Sequence, residues 1–159
     1  MLKIVPLNNE LRPWANDVLE REWGPPGIVS RGKMHQTKEL SGIIGIENNN
    51  PIGILLYRIE KHEFEIIALN SFKEKTGIGT ALIESATRQA LVHACQRIFV
   101  ITTNDNTYAL HFYQKRGFHI KAFYPNAVGI SRKLKPTIPM TGMDKIPIRD
   151  EIELEKLLQ

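Results

Sequence analysis

The length, composition and charge of the chain predict a single globular domain and exclude several classes of protein. Of its 159 residues, 42% are hydrophobic, which is enough for one apolar core. The 21 basic and 17 acidic residues give a net charge of +4 without a basic block, a balance that suits an anionic small molecule as well as nucleic acid. One cysteine, Cys95, excludes an internal disulfide and is expected to be an inert packing residue. The N-terminus lacks the apolar segment of a secretory signal, and no apolar run approaches the roughly 18 residues of a membrane span, so we expect a soluble, cytoplasmic protein.

The first half of the chain predicts a strand, a helix and a meander of strands. The opening KIVPL is typical of a short strand, and apolar residues recur at helical spacing from Leu11 to Trp23, before a Gly24-Pro25-Pro26-Gly27 break. Three apolar runs follow, at Ile43–Ile46, Ile52–Ile59 and Phe64–Leu69. Asparagines and Lys61-His62 separate these runs, so the sequence predicts three adjacent antiparallel strands.

The second half alternates helices and strands. A helix of about five turns is predicted from Gly77, with one apolar side made of Ile78, Leu82, Ile83, Ala86, Ala90 and Ala94. A strand over Arg97–Thr103, a short helix ended by Lys115-Arg116-Gly117 and a strand over Phe118–Tyr124 come next. The pattern is that of an α/β (α+β) fold.

The C-terminal region is less regular. AVGISRKLKP allows a short helix, PTIPMTGMDKIP is typical of a loop, and IRDEIELEKLL alternates like an exposed final strand, although a helix is compatible with it. The stretch Pro125–Pro147 is long for a connection and could form a lid or a dimer contact. An edge strand at the C-terminus would offer a route to a homodimer.

The segment between the third meander strand and the long helix has the pattern of an anion-binding loop. The strand leads through NSFKEKT into a helix that starts with Gly77 and Gly79, where free backbone N–H groups and the helix dipole favour an anion. Lys73 and Lys75 add positive charge nearby. A dinucleotide fingerprint would need glycine where the chain has Leu82, and a P-loop would need Gly-Lys-Ser/Thr. Alternatively, Gly77 is only a loop residue and Gly79 only a close-packing one.

A second segment, one helix and one strand later, changes this interpretation. It reads N106-T-Y-A109-L-H-F112-Y113-Q-K-R-G117-F118, and it could simply be a capped helix with core aromatics such as Phe112. Taken with the G-I-G loop, however, the region from Glu63 to Phe118 resembles the GNAT acetyltransferase superfamily, whose members carry Q/R-x-x-G-x-G/A followed by N-x-x-A-x-x-F-Y-x-x-x-G-F. The resemblance implies one domain over residues 1–159 with a mixed, mostly antiparallel sheet of six or seven strands, flanked by helices and splayed at its centre. Glu74 holds the Q/R position, so phosphate binding would depend on backbone amides, with Lys73 or Lys75 compensating.

The resemblance also implies an acetyl-CoA site and the residues that form it. The pyrophosphate would lie on Lys75, Thr76, Gly77, Ile78, Gly79 and Thr80. The amide of Leu69 would be near the thioester oxygen, and Asn106 would contact the pantetheine arm. Tyr113 looks like the general acid, because a phenol with an ordinary pKa near 10 is protonated at neutral pH.

The general base is less defined. Glu63 and Glu65 share one strand face because they are two residues apart, and some relatives use a glutamate at the position of Glu63. The pair could equally be a solvated strand start, and His62 and His111 are alternatives. The five histidines show no metal-site spacing, so we expect no metal.

Three functions remain open at this point. The leading one is an enzyme that transfers an acetyl or other short acyl group from acetyl-CoA to a primary amine of a small molecule or peptide. The second is a non-catalytic module of the same fold that binds acyl-CoA. The third, a basic nucleic-acid-binding domain, is the least supported, because the aromatic residues fall mostly at core positions.

Overall fold

A sheet flanked by helices organises the chain. The computed structural model describes residues 1–25, 27–73 and 76–158. Its helices are α1 (Arg12–Trp23), α2 (Ile78–Val92), α3 (Thr107–Lys115) and α4 (Ala127–Leu134). Its strands are β1 (Leu2–Pro6), β2 (Ile28–Ser30), β3 (Lys33–His35), β4 (Ser41–Glu47), β5 (Asn50–Glu60), β6 (Glu63–Ser71), β7 (Arg97–Thr103), β8 (His119–Tyr124) and β9 (Glu151–Leu157). Short 3₁₀ turns occupy Thr37–Glu39 and Met143–Lys145.

The main sheet has seven strands in the order β1-β4-β5-β6-β7-β9-β8. Every neighbouring pair is antiparallel except β6 and β7, which are parallel and joined through α2. Strands β2 and β3 form a separate hairpin. This arrangement confirms the expected mixed, mostly antiparallel sheet.

Tight left-handed turns explain why the meander forms where the sequence predicts it. Asn48-Asn49 joins β4 to β5 and Lys61-His62 joins β5 to β6, and all four residues have φ between 50° and 64°. Two-residue turns with positive φ match the twist of antiparallel strands. Arg31-Gly32 joins β2 to β3 with the same geometry, but the flanking strands of three residues are too short for the sequence pattern to reveal them.

The final strand corrects one expectation. We expected an exposed strand at an edge of the sheet, but β9 is inserted between β7 and β8. Its alternating glutamates suggested that the strand is exposed to solvent, whereas Glu151 and Glu153 are in fact buried beside cations. The edges are β1 and β8, so the proposed route to a dimer through a C-terminal edge does not exist.

Two smaller boundaries also differ from expectation. Helix α2 ends at Val92 instead of continuing through Ala94, because Ala94 adopts a left-handed conformation with φ of 55° that turns the chain toward β7. Strand β8 begins at His119, one residue later than predicted, after the buried Phe118.

The core has two parts, one on each face of the sheet. Helices α2 and α3 cover one face, where Leu82 and Phe112 pack with Phe64. Helix α1 covers the other face, where Leu19 packs with Ile54. Cys95 is a free, buried thiol in the first cluster, and burial raises its pKa, as expected of an unreactive packing residue. No helix in the described ranges is long and apolar enough to cross a membrane.

A pair of facing glycines fixes where α2 begins. Gly45 on β4 lies opposite Gly53 on β5, and the side chain of Ile78, the first residue of α2, packs over both. A Cβ added at Gly53 would lie 2.7 Å from Cγ1 of Ile78. The missing side chains therefore make room for the start of the helix.

Adding one methyl group at this contact tests its importance. Gly53→Ala is expected to lower the free energy of unfolding by about 1–3 kcal/mol, because Ile78 must move within a packed core. Gly129→Ala is the matched control, since a Cβ at that exposed position in α4 meets nothing within 4 Å. Chemical denaturation measures both variants; equal stability of Gly53→Ala and the wild type would contradict the role of the glycine pair.

Candidate active site

The central strands separate partway along their length. Pairing of β6 with β7 ends at Ile66 and Val100, although β6 continues to Ser71 and β7 to Thr103. The separation coincides with a bulge in β6, because Tyr57 of β5 faces Ile66 while the preceding Leu56 faces Ala68. Ile67 is therefore an extra residue that bends β6 away from β7. The expected splay of the central strands is confirmed.

A cavity of about 650 Å³ lies where the strands separate, between β6, the start of α2 and one side of α3. Its lining includes every predicted cofactor residue of the described chain, namely Leu69, Thr76, Gly77, Ile78, Gly79, Thr80, Asn106 and Tyr113. Lys75, also predicted to bind the cofactor, and Glu74 lie outside the described residues. Residues that are far apart in the sequence thus share one concave surface.

The start of α2 presents free backbone N–H groups to this cavity. The first hydrogen bond of the helix joins the amide of Ala81 to the carbonyl of Gly77 at 3.0 Å. The amides of Ile78, Gly79 and Thr80 come before it and therefore have no partner within the helix. Gly77 has a φ of 75°, and a Cβ there would meet nothing within 4 Å. The loop is therefore open to a ligand at the positive end of the helix dipole.

The second glycine has a packing role. A Cβ at Gly79 would lie 2.9 Å from the ring of Phe112 on α3, so the absence of a side chain lets the two helices meet closely. The interpretation of Gly79 as a close-packing residue is therefore correct, and it is compatible with a free amide at the same position.

One of the two expected compensating lysines is already engaged. The Lys73 ammonium group forms an ion pair with Glu47 of β4, and the backbone carbonyl of Lys73 accepts a hydrogen bond from Thr76 at 2.9 Å. The carboxylate offsets part of the positive charge that Lys73 could offer to an anion in the cavity.

Tyr113 lies on the wall of the cavity. Its ring is 5% exposed and packs edge-on against Phe112 and Phe118. Burial raises the pKa of the phenol well above its ordinary value of 10. The hydroxyl group is therefore protonated at neutral pH and can act as a donor.

Asn106 caps helix α3 and also lines the cavity. Its side-chain oxygen accepts a hydrogen bond from the amide of Ala109 at 3.1 Å. The expected capping role is therefore present, and the side-chain NH₂ group is the part of Asn106 that remains for a ligand.

The two candidate bases lie on a smaller cavity of about 230 Å³ at the other end of β6. Both Glu63 and Glu65 line it, which confirms that they share a face. Glu65 is 5% exposed and accepts hydrogen bonds from Ser30 at 2.9 Å and from Arg58 at 3.0 Å, one on each oxygen. The Glu63 side chain is 41% exposed, and one of its oxygens accepts a hydrogen bond from Arg97 at 2.6 Å.

The alternative bases are placed differently. His62 occupies the turn between β5 and β6, and His111 lies on the outer side of α3. Both side chains are exposed, and neither lines the two cavities described above.

Arg97, which sequence reasoning did not single out, organises the charges beside Glu63. Its guanidinium also donates to Glu153 at 2.6 Å and to Glu155 at 2.9 Å, and Tyr124 donates to Glu153 at 2.8 Å. Burial alone would raise the pKa of Glu153, but the hydrogen bonds from Arg97 and Tyr124 hold it below its ordinary value. Burial opposes the charge of Arg97 as well, yet its three carboxylate partners raise its pKa.

The β2–β3 hairpin covers this region from the side. Ser30 reaches Glu65, and the Arg31 guanidinium lies 3.4 Å from the centroid of the Tyr124 ring and 3.5 Å from Glu151. Helix α4, from the stretch expected to be a lid or dimer contact, packs against the hairpin. At its C-terminal end, the buried Lys135 donates a hydrogen bond to the carbonyl of Gly27 at 2.7 Å, just before β2.

Comparison with known proteins identifies the family. A sequence model described as the acetyltransferase (GNAT) family matches residues 8–118. The chain belongs to this family. The resemblance drawn from the two sequence segments is confirmed, and the family and fold support acetyl transfer as the general activity.

Relatives agree with this assignment over the whole chain. The uncharacterized protein YdhI of Bacillus subtilis (strain 168) is 40% identical over 159 residues, covering 99% of each chain. The IAA acetyltransferase from Bacillus cereus ATCC 14579 superposes with a TM-score of 0.73 at 20% identity, covering 99% of this chain and 100% of that one. A GNAT family acetyltransferase from Elizabethkingia anophelis, solved with acetyl-CoA bound, gives a TM-score of 0.70 at 19% identity, covering 99% and 98%. At these identities the two solved structures establish the likeness of fold.

The charge cluster at Arg97 predicts a defined response to pH. Replacing Glu153 with Gln should lower the free energy of unfolding near pH 7 by about 1–3 kcal/mol, because Arg97 and Tyr124 lose a charged partner. The folded-state pKa of Glu153 lies below the ordinary value of 4.5, so its stabilising contribution is complete above that pH and is lost as the pH falls further.

The difference in melting temperature between the wild type and Glu153→Gln should therefore shrink from about pH 7 to about pH 3. Glu20→Gln, on the exposed side of α1, is the control and should change little at any pH. A constant difference across this range would show that the carboxylate charge of Glu153 does not contribute.

Proposed function

We propose that this protein is an N-acetyltransferase that moves an acetyl group from acetyl-CoA to a primary amine by direct attack. The observation that carries the proposal is the cavity at the splayed strands. It brings the free amides of α2, the separated edge of β6 and the protonated phenol of Tyr113 onto one surface. These are the groups that a CoA thioester needs at its phosphate, carbonyl and sulfur ends.

The residues present fit this cofactor. The amides of Ile78, Gly79 and Thr80 can hold the pyrophosphate, and the open space at Gly77 lets a phosphate approach the main chain. Asn106 lies on the wall of the same cavity, where its free NH₂ group can contact the pantetheine arm. Acetyl-CoA supplies an activated acyl thioester when it is bound.

The backbone of β6 is suited to polarise the thioester. Beyond Ile66 this strand no longer pairs with β7, and Leu69 on the released segment lines the cavity. An amide donor there can hydrogen-bond the carbonyl oxygen as negative charge develops on it. The bulge at Ile67 is the structural feature that releases this segment of β6 from β7.

Two proton transfers complete the reaction. The amine nitrogen forms a bond to the acyl carbon as the carbon–sulfur bond breaks, and the Tyr113 hydroxyl donates its proton toward the departing sulfur. Glu63 accepts the proton that the amine loses through a chain of several waters, because it has a free oxygen and an exposed side chain but lies six residues before Leu69 on β6, roughly 20 Å along the strand. Both Glu65 oxygens are engaged by Ser30 and Arg58, so its role is to hold the β2–β3 hairpin against the sheet.

The charge around the smaller cavity favours an amine that arrives as a cation. Its lining carries three carboxylates, those of Glu60, Glu63 and Glu65, against the two cations Arg58 and Lys61. A protonated small-molecule or peptide amine would be attracted to this end of β6 before it loses its proton.

Direct binding tests the cofactor assignment. Calorimetric titration with acetyl-CoA should show saturable binding to the wild type and none to Gly77→Trp, whose side chain would enter the open loop. Gly24→Trp is the matched control, because Gly24 also has a positive φ of 72° and open space at its Cβ but lies away from the cavity. Gly77→Trp bears roughly 1–2 kcal/mol of strain in its left-handed conformation. Gly24→Trp bears more, because φ of 72° with ψ of 161° is adopted almost only by glycine, so backbone strain alone would affect the control more strongly. Absence of binding to the wild type, or equal binding to both variants, would refute the assignment; NADH and ATP should not bind.

Turnover by active-site variants tests the roles of the acid and the base. Tyr113→Phe should reduce kcat about 10²- to 10⁴-fold while leaving acetyl-CoA affinity unchanged, because it removes only the proton donor. Tyr108→Phe, on an exposed residue that lines the same cavity, is the matched control and should retain activity. Glu63→Gln should reduce kcat with acetyl-CoA affinity preserved, whereas Glu65→Gln should mainly lower the melting temperature.

The same assay separates catalysis from simple binding. Full activity of Tyr113→Phe would exclude the phenol as the acid. Saturable acetyl-CoA binding without acetylation of any amine in a broad screen would instead support a module that binds acyl-CoA without turnover.

A further inference from the structure

Arg116 is held against the first turn of α2 by its own hydrogen bonds. It follows the last residue of α3, and its guanidinium turns back so that Nε and Nη2 lie 3.0 Å and 2.8 Å from the hydroxyl oxygen of Thr80. Nη1 donates to the carbonyl of Phe112 at 2.9 Å, and the guanidinium lies 3.7 Å from the centroid of the Phe112 ring. Three separate contacts therefore fix one orientation of the side chain.

The start of α2 is an unfavourable place for a cation without an anion, whereas the Phe112 carbonyl at the end of α3 favours the same guanidinium. The N-terminus of a helix carries partial positive charge, so a cation beside it is repelled. The first turn of α2 contains no acidic residue, and within the described part of the chain no carboxylate pairs with Arg116. Both the helix and the guanidinium face the large cavity, where a bound anion would satisfy the two together.

Arg116 and Thr80 retain hydrogen-bond donors that their mutual contacts do not use. A guanidinium has five N–H groups, and the contacts to Thr80 and Phe112 use three of them, leaving one on each Nη atom. The Thr80 oxygen accepts two hydrogen bonds from Arg116, so its own O–H is directed elsewhere. Together with the amides of Ile78, Gly79 and Thr80, these donors form a phosphate-binding set.

We propose that Arg116 is the phosphate-binding cation of the cofactor site, taking over the task of the Gln or Arg that is replaced by Glu74 in the loop. The inference rests on the proposed function, since it assigns a residue to the same acetyl-CoA site. Arg116 approaches the phosphate from α3 instead of from the loop. Thr80 and Phe112 act as positioning residues that keep the guanidinium at the helix start.

Affinity measurements on Arg116→Gln test the proposal. Loss of the charged donors should weaken acetyl-CoA binding about 10- to 100-fold, as expected for hydrogen bonds between charged groups. Lys115→Gln is the matched control, because it removes the same charge from the neighbouring exposed residue and should bind like the wild type. Arg116→Lys should be intermediate, since it keeps the charge and loses the planar fork.

Two further readouts separate phosphate binding from a structural role. The affinity of the wild type should fall as salt is raised, and Arg116→Gln should show a flatter salt dependence than Lys115→Gln. Repeating the titration with 3′-dephospho-CoA distinguishes the sources of phosphate. An undiminished effect of the variant assigns Arg116 to the pyrophosphate, and a lost effect assigns it to the 3′-phosphate; either result supports a phosphate contact.

The contrary outcomes are distinct. If the wild type and Lys115→Gln bind acetyl-CoA and Arg116→Gln binds equally tightly, the role of Arg116 is wrong while the proposed function stands. A weakened affinity with unchanged salt dependence and a lower melting temperature would assign Arg116 to holding α3 in place, and would also overturn the proposal. If acetyl-CoA does not bind the wild type, the proposed function fails and this inference fails with it.

Discussion

The separation of β6 from β7 after Ile66 and Val100 is the constraint on which the rest of the site depends. Backbone N–H and C=O groups inside a protein need partners, and a sheet ordinarily supplies them through the neighbouring strand. Here the chain gives up that pairing over the last five residues of a central strand, Ile67 to Ser71. The bulge at Ile67 frees this segment, and the large cavity beside it leaves room for a ligand to pair with the released backbone groups.

Several features of the fold support this opening. Strand β5 pairs with β6 on its other side from Glu63 to Ser71, so the released segment does not collapse. The facing glycines of β4 and β5 let the side chain of Ile78 pack against the sheet, and this contact places the start of α2 at the end of β6. Gly79 in turn lets α3 approach closely enough for Tyr113 and Arg116 to reach the same cavity. The absence of side chains at three glycines thus determines how a strand edge, a helix start and the side chains of Tyr113 and Arg116 meet.

At the opposite end of β6, a half-buried guanidinium stabilises the carboxylates that β9 brings into the sheet. Strand β9 carries Glu151, Glu153 and Glu155 at alternating positions, and carboxylates of this kind would be costly to bury alone. Arg97 on β7 binds two of them and Arg31 of the β2–β3 hairpin binds the third. The same Arg97 also holds Glu63, so the charges that let β9 enter the sheet place the proposed base.

These arrangements explain what could be predicted from the sequence. Local patterns were sufficient for the meander, for α2 and α3 and for the glycine loop, because turn residues, caps and apolar periodicity are short-range signals. The fold family followed from two segments, and the predicted cofactor residues of the described chain lie on one cavity. The position of β9 could not be predicted, because alternating glutamates are typical of a strand exposed to solvent. Their partners Arg97 and Arg31 are distant in the sequence, and only the folded structure shows that they pair with these glutamates.

Arg116 shows the same limit at the site itself. In the sequence it belongs to Lys115-Arg116-Gly117, an ordinary helix end in which a cation complements the C-terminal dipole of α3. In the folded chain its guanidinium still donates to the Phe112 carbonyl at the end of α3, and it also lies against Thr80 at the positive end of a different helix. The first turn of α2 has no acidic residue to offset the added cation, and Gly77 offers no side-chain cap. A helix start with no side-chain cap at Gly77, no acidic residue in its first turn and a cation beside it is a local conflict of the kind that folded proteins retain where an anionic ligand resolves it.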